Sequence, residues 1–229
     1  ENDTEKFHKL TELEGAIVYI PPGTYEVEGP FVFESRVFLF GLENDKPKID
    51  IKTPKGTKGV TGLTFKGGAR IKNIDFKGSK GIDTLIQFGE TGNDTENRNE
   101  DDVDGSISGS NFENFKTAVR YNGRNCKMHD NVFDSGRKKS TDVHLSYSNI
   151  EVDLDGGRGT LPHYSHRKNS FRGNKFSSGQ KNTGIHLSGE VPIRGLVVIE
   201  NKKEQGGSLL SVEGSGGVRD SIINNNNEF

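Results

Sequence analysis

A short motif, in which a polar corner residue is followed closely by phenylalanine, recurs along this chain. It occurs as "NIDF" from Asn73, "SNF" from Ser110, "DNVF" from Asp130, "GNKF" from Gly173, "ENKK" from Glu200 and "NNEF" from Asn226. Five of these six segments end in Phe, so the same corner is being built repeatedly. A motif that returns at a spacing of a few tens of residues is typical of a repeat architecture and constrains the whole fold.

A second repeat accompanies the first and consists of five segments that alternate between apolar and polar residues. They are "DTLIQFG" from Asp83, "TAVRYNG" from Thr117, "DVHLSYS" from Asp142, "TGIHLSG" from Thr183 and "SLLSVEG" from Ser208. Their first inward residues, which are 33, 24, 42 and 25 positions apart, are Ile86, Val119, Val143, Ile185 and Leu210. Period-two alternation predicts strands, and the two steps near 25 define one turn of a solenoid while the longer steps carry insertions.

Together the two repeats predict an all-β fold, a right-handed single-stranded parallel β-helix with little helix. Each coil of such a solenoid buries its inward side chains against the neighbouring coils, so like residues stack on like. An Asn at a corner can then hydrogen-bond along its column. A β-sandwich is the alternative, and the dipeptide Asn122-Gly123 would suit a hairpin. A sandwich, however, gives no reason for the corner motif to repeat in successive units.

We therefore expect a single β-helix domain over residues 1–229, with loop insertions near 90–105 and 149–168. The pattern stops at "NNEF", where a further strand is expected within about ten residues. This predicts either a fragment of a longer chain or a protein that assembles.

Composition narrows the classes of function. Only 29% of the residues are hydrophobic and 30 are Gly, which indicates a thin, repetitively filled core. The 31 Lys and Arg nearly balance the 33 Asp and Glu, and no basic block occurs, so no nucleic-acid partner is predicted. Cys126 is the only cysteine, which excludes an intrachain disulfide and a Cys-based zinc site. The longest apolar run, "GAIVYI", is too short to cross a bilayer, so no membrane insertion is expected.

The alternation of side chains predicts one exposed column on the repeated strands. Its members are Gln87, Arg120, His144, His186 and Ser211. The flanking columns are predicted to hold Leu85, Ala118, Asp142, Gly184 and Leu209 on one side, and Gly89, Asn122, Ser146, Ser188 and Glu213 on the other. Two of the six histidines thus fall beside an arginine and would form a cationic or proton-exchanging strip. The alternative is that these are ordinary solvated strand residues.

The longest step between strands carries an insertion near "NIEVDLDGGRGTLPHYSHRKN". A long loop that leaves a solenoid beside an exposed column commonly walls a groove. This one contains ring and cationic side chains suited to an acidic sugar, namely His163, Tyr164, His166, Arg167 and Lys168. A merely basic loop tip is the alternative interpretation.

The other insertion, "TGNDTENRNEDDVDGS", is acidic and raises the question of calcium. Counted from Gly105 as the glycine of an EF-hand, the twelfth ligand position holds Asn111 where a bidentate Glu is needed. A solvated loop is the favoured interpretation, and calcium is left open. The sequence contains no P-loop or dinucleotide fingerprint, so no nucleotide or redox cofactor is predicted.

From about Gly105 to Phe229 the chain resembles the chondroitinase B and alginate lyase family of parallel β-helix polysaccharide lyases. The resemblance is carried by "LPHYSHRKNSFRGNKF", "NTGIHLSG", "LVVIENK" and "GGSLLSVEGSGGVRDSIINNNNEF", and "LTFKGGARIKNIDFKG" is similar to an early coil of that family. Such lyases place a Glu-x-Glu pair for calcium and a Lys base on the strand that "GGSLLSVEGSGG" represents. This chain offers Ser208, Leu210 and Ser215 there, with Glu213 as the sole acid.

The resemblance implies an extracellular, periplasmic or virion-associated protein that cleaves an acidic, uronate-containing polysaccharide by β-elimination. The candidate catalytic residues are Arg120, His144, His186, His166 and Tyr164. The candidate substrate-binding residues are Gln87, Asn122, Asp142, His163, Arg167 and Lys168. Asn-x-Phe corners also occur in viral tailspikes, so the alternative is a tailspike, tail-fibre or surface adhesin segment. Such a segment would bind or hydrolyse a cell-surface polysaccharide and could form a homotrimer.

Overall fold

The computed structural model describes residues 2–89, 103–122, 125–137, 139–147, 150–154, 157–161, 169–177, 179, 181–189, 193–203, 206–214, 218–224 and 226–228. Within these residues the chain winds through three parallel sheets, and each complete coil contributes one strand to each sheet in turn. The parallel β-helix expected from the repeats is confirmed, and the facing hairpin layers of a sandwich are not formed.

The first sheet contains, in spatial order, β1 (Ile17–Tyr19), β4 (Val37–Phe40), β7 (Ala69–Lys72), β10 (Asp104–Ser108), β13 (Asn125–His129), β18 (Ser170–Arg172), β22 (Val197–Ile199) and β26 (Ile222–Asn224). The second contains β2 (Thr24–Glu28), β5 (Lys48–Lys52), β8 (Asp75–Gly78), β11 (Asn111–Glu113), β14 (Val132–Asp134), β19 (Lys175–Phe176), β23 (Lys202–Lys203) and β27 (Asn227–Glu228). The third contains β3 (Phe31–Phe33), β6 (Val60–Phe65), β9 (Ile82–Phe88), β12 (Thr117–Tyr121), β15 (Ser140–Tyr147), β20 (Asn182–Gly189) and β24 (Ser208–Glu213).

Two smaller pairings lie outside these sheets. The long insertion after β15 forms an antiparallel pair of β16 (Ile150–Leu154) and β17 (Gly157–Leu161), and β21 (Ile193–Arg194) pairs in parallel with β25 (Val218–Arg219). The helix α1 (Asp3–Thr11) begins at a capping box in which Asn2 and Glu5 bond each other's backbone N–H groups. Phe7 on α1 packs against the first coil, with its ring centroid 5.0 Å from that of Phe31.

The recurring corner builds an asparagine ladder, formed by Ser110, Asn131, Asn174, Asn201 and Asn226. The carboxamide oxygen of Asn174 accepts the backbone N–H of Asn131 at 3.1 Å, and that of Asn201 accepts the N–H of Asn174 at 3.0 Å. The residues before Ser110, Asn131, Asn174 and Asn201 have a positive φ, for example Asp130 at 56° and Gly173 at 65°. A left-handed residue turns the chain sharply there, and Asn or Asp tolerates that conformation better than other residues with a Cβ.

The phenylalanines of the motif stack in a column inside the solenoid. Phe76, Phe112, Phe133 and Phe176 follow one another with ring centroids 5.6, 4.9 and 5.4 Å apart and nearly parallel planes. Next in register is Lys203, which is 2% exposed. The column therefore ends on a buried ammonium where another ring is expected.

One sequence prediction about the third sheet is wrong. The flanking column of Leu85, Ala118, Asp142, Gly184 and Leu209 was expected on the outside, but every member is buried. The residues of this column are skipped in the strand pairing. Between β12 and β15, for example, Thr117 pairs with Thr141 and Val119 with Val143, but Ala118 and Asp142 are not paired. Because consecutive residues such as Leu85 and Ile86 are both fully buried, the strand departs from strict alternation here.

Candidate functional site

Five outward-facing residues of the third sheet form the histidine column, which consists of Gln87, Arg120, His144, His186 and Ser211. Arg120 pairs in register with Gln87 on one side and with His144 on the other. His144 is in turn paired with His186. The three candidate catalytic residues described by the structure therefore lie on consecutive strands, about 4.8 Å apart.

The two histidine rings are in contact, and each has a polar partner on the same face. Their ring centroids are 4.8 Å apart. His144 Nε2 lies 2.7 Å from the Ser188 hydroxyl oxygen, and His186 Nε2 lies 3.4 Å from a carboxylate oxygen of Glu213. The pair thus has different neighbours, a neutral hydroxyl for His144 and a carboxylate for His186.

Burial, together with smaller effects of charge repulsion from His186 and Arg120, lowers the pKa of His144 to about 4. His144 is therefore neutral at neutral pH, in spite of the polar surface around it. A neutral imidazole has a free lone pair on one ring nitrogen, which is what a general base needs. The contact to Ser188 involves Nε2 alone, so Nδ1 is the second nitrogen available for hydrogen bonding.

Arg120 belongs to the histidine column, and Asn122 lies two residues after it in the sequence. The Arg120 Nε is buried, and no hydrogen-bond partner for it is found in the structure as described. The Arg120 side chain as a whole is half-buried and lies in register with His144, so its guanidinium adds a cation to this face that can pair with a carboxylate. Asn122 follows the end of β12, where it is half-buried and its backbone N–H donates to Phe88 O at 2.9 Å.

Two candidate binding residues are less accessible than the sequence predicted. Gln87 is 5% exposed, and its amide nitrogen donates to Gly89 O at 3.0 Å. Asp142 is fully buried, because it belongs to the column that the strand turns inward, and its Oδ2 accepts the Ser177 N–H at 2.8 Å. The assignment of Asp142 to substrate contact is therefore wrong, since a polymer on the surface cannot reach it.

Asp142 instead belongs to a polar interior that the sequence did not indicate. Burial raises its pKa to about 7, while the bonds from Ser177 and the charge of Lys203 act in the opposite direction. The Lys203 ammonium donates to the backbone carbonyls of Ser177 and Gly206. A Lys at the fourth position of "ENKK", where the other corners have Phe, was the available signal for this exception.

The remaining candidates lie outside the described residues. These are His163, Tyr164, His166, Arg167 and Lys168, together with residues 90–102 of the first insertion and 149, 155–156 and 162–168 of the second.

A calcium site like that of the resembling lyases does not fit the residues of β24. Ser208 and Leu210 occupy the places of the acidic pair, and only Glu213 supplies a carboxylate on this strand. Among the residues with a described structure, no three His, Cys, Asp or Glu side chains are grouped as metal ligands would be. No step of the chemistry below uses a metal.

Ser188 and Glu213 are the site residues that sequence reasoning left out of its candidates. Each lies two positions after a member of the histidine column, so the period-two rule places it on the same face. What the sequence does not encode is the direction in which the rings turn. Their Nε2 atoms point along the strands, toward the next outward column.

Similarity between this chain and known proteins is limited. No protein-family model matches the chain, and no curated protein matches it significantly. Among solved structures, it is similar to ORF18 of Geobacillus virus E2, at 13% sequence identity and a TM-score of 0.36. The match covers 100% of this chain and 59% of the viral protein. In the described part of the chain, no helix has the length and apolar character that crossing a membrane requires.

Proposed function

We propose that the histidine column binds a uronate-containing polysaccharide and cleaves it by β-elimination. The observation that carries the proposal is the placement in register of Arg120, a neutral His144 and a carboxylate-paired His186 on three consecutive strands. These supply the three groups that the reaction needs, which are a cation for the sugar carboxylate, a base and an acid.

Arg120 is assigned to the carboxylate of the uronate. Its guanidinium would neutralise that group and stabilise the negative charge that develops when the adjacent carbon loses its proton. The half-buried position of Arg120 on the outer face, in register with His144, supports this role.

The two histidines are assigned to opposite ends of the proton transfer. His144 takes the proton from the carbon beside the carboxylate, and the electron pair of that bond forms the carbon–carbon double bond. The bond from the neighbouring carbon to the glycosidic oxygen breaks, and His186 supplies the proton to the departing oxygen. Glu213 stabilises the protonated imidazole of His186 before the transfer.

Binding without cleavage is the second candidate function. It is favoured by β24, where Ser208 and Leu210 replace the acidic pair of the resembling lyases. In a tailspike, tail-fibre or adhesin segment, the same column would hold a cell-surface polysaccharide without transferring a proton.

A panel of alginate, chondroitin, pectate and capsular polysaccharide tests the proposal. Elimination creates an unsaturated product that absorbs in the ultraviolet, whereas hydrolysis creates reducing ends without that absorbance. We expect absorbance to grow with at least one uronate polymer and to be lost in His144→Ala/His186→Ala. Undiminished product formation by this double variant would refute the assignment.

A further inference from the structure

The outward face of the first sheet carries positive charge in two adjacent columns. From the N-terminal end, one column contains Ile17, Phe38, Arg70, Ser106, Lys127 and Ser170, and the other contains Tyr19, Phe40, Lys72, Ser108, His129 and Arg172. We call these twelve residues the basic face. No acidic side chain occurs in either column, and Arg70, Lys72, Lys127 and Arg172 are exposed.

The second sheet has the same geometry but a different distribution of charge. Across its strands Glu26 lies beside Asp50, and Lys77 lies between Asp50 and Glu113. Its charges also pair with one another, as Lys48 Nζ does with Glu113 Oε2 at 3.0 Å. Charge of one sign is therefore not a general property of this solenoid's surface. It is specific to the basic face.

The charges of the basic face are largely available to a ligand. Over the described ranges of the chain, no carboxylate is found within ion-pair distance of Arg70, Lys72 or Lys127. Arg172 is the exception, because its Nε lies 2.9 Å from Glu200 Oε2. The pKa of His129 is lowered, first by burial, and the charges of Lys127 and Arg172 lower it further against the opposing effect of Asp130. The positive electrostatic potential of Lys127 and Arg172 therefore reaches the His129 ring.

Short hydroxyl side chains alternate with the cations along the sheet. Ser106 and Ser108 on β10 separate Arg70 and Lys72 on β7 from Lys127 and His129 on β13. Cations of alternate strands are thus about 9.6 Å apart, twice the spacing of neighbouring strands. The Ser106 and Ser108 side chains are shorter than the charged side chains on either side. Their hydroxyls can hydrogen-bond the uncharged parts of a ligand, while the cations contact anionic groups that repeat along its length.

An aromatic platform borders the cations at the N-terminal end. Tyr19 is 43% exposed. The ring centroid of Phe40 lies 5.4 Å from that of Tyr19 and 5.4 Å from that of Phe38. Ile17 beside them is 72% exposed. Exposed rings next to free cations favour a ligand with a flat apolar surface as well as negative charge, and a sugar ring has such a surface.

We propose that the basic face is a second binding surface, separate from the histidine column, for a linear anionic polysaccharide. The alternative of single-stranded nucleic acid is less well matched. Sites for nucleic acid place aromatic rings where successive bases can stack along the charged track. Here the rings are confined to β1 and β4, and the hydroxyls of Ser106 and Ser108 on β10 lie between the cationic strands β7 and β13.

The basic face and the histidine column lie on different sheets, so variants can test them separately. Arg70→Ser/Lys127→Ser removes two charges from one column of the basic face without touching the core. The matched control, Lys77→Ser/Lys202→Ser, removes two charges from the second sheet. Affinity is measured by calorimetry with alginate and dextran sulfate as anionic probes, neutral dextran as a blank, and oligo(dT) as the nucleic-acid probe.

We expect Arg70→Ser/Lys127→Ser to weaken binding of an anionic polysaccharide by about tenfold, because two charge-assisted contacts are lost. The control double variant should stay within about twofold, and added salt should weaken wild-type binding because the charges are exposed. In NMR titrations the pKa of His129 should rise when the anionic probe is added, since a bound anion favours the imidazolium. Unchanged affinity in Arg70→Ser/Lys127→Ser, or tighter binding of oligo(dT) than of both polysaccharides, would overturn the proposal.

Failure of this inference is distinguishable from failure of the proposed catalysis. If the basic face binds but no polymer is cleaved, Arg70→Ser/Lys127→Ser still loses affinity while no unsaturated product forms. If only the histidine column is functional, the double variant keeps its full affinity and cleaves as well as wild type. The His144→Ala/His186→Ala variant should retain the polymer affinity that the basic face supplies.

Discussion

Replacement of Asn174 by alanine should destabilise the solenoid without altering its surface. Asn174 is 1% exposed, and its oxygen accepts from the backbone N–H and the side chain of Asn131, both at 3.1 Å. Its amide nitrogen donates to Met128 O at 2.7 Å and to Asn201 Oδ1 at 2.9 Å. Alanine leaves the N–H of Asn131 and the carbonyl of Met128 without these partners in a dry interior. Since each unsatisfied group costs about 1–3 kcal/mol, we expect a loss of about 2–4 kcal/mol.

Urea denaturation followed by circular dichroism measures this change. The midpoint should fall while the slope stays the same, because the same surface is exposed on unfolding. Asn44→Ala, at an exposed turn position, is the control and should change the free energy of unfolding by less than about 0.5 kcal/mol. A loss below about 0.5 kcal/mol in Asn174→Ala would show that the ladder bonds do not stabilise the stacked coils.

Three further predictions concern the titratable groups. His144→Ala should reduce the rate of elimination by about 100-fold or more, as loss of a general base does, while His8→Ala on α1 should not. The rate of the wild-type protein should fall as the pH drops through about 4, the pKa of His144, because protonation removes the lone pair of that imidazole. Asp142, whose pKa is raised from 3.8 to about 7, stabilises the fold less as the pH rises through about 7, when the buried carboxyl ionises. The free energy of unfolding of Asp142→Asn relative to that of the wild type should therefore be higher at pH 8 than at pH 5. Urea melts should show a difference on the order of a few kcal/mol. An identical pH profile for the two proteins would refute this.

The stacking of the third sheet could be predicted from the sequence because its signal is local and repeated. Ile86, Val119, Val143 and Ile185 recur at similar positions in their coils, and the structure pairs them in one register. That register fixes the order of Arg120, His144 and His186 on the outside. The corner motif likewise predicted the aromatic column, whose members stack at about van der Waals contact.

Other features escaped because they depend on the backbone path. The inward turn at Asp142 breaks the alternation rule, so a carboxylate expected on the surface is buried. The helix α1 was missed although the capping box between Asn2 and Glu5 was visible, since the solenoid repeat gave no reason to expect a helix before the first coil. The basic face became apparent only when the registers placed Arg70, Lys127 and Arg172 on one sheet, because these residues are far apart in sequence.

The measurement that bears most directly on the function is the ultraviolet absorbance of a uronate polymer incubated with the wild-type protein and with Arg120→Ala. We expect an unsaturated product to accumulate with the wild type. The rate should fall by about 100-fold or more in Arg120→Ala, because the sugar carboxylate is no longer neutralised. Equal rates for the two proteins, or new reducing ends without any rise in absorbance, would contradict β-elimination at the histidine column.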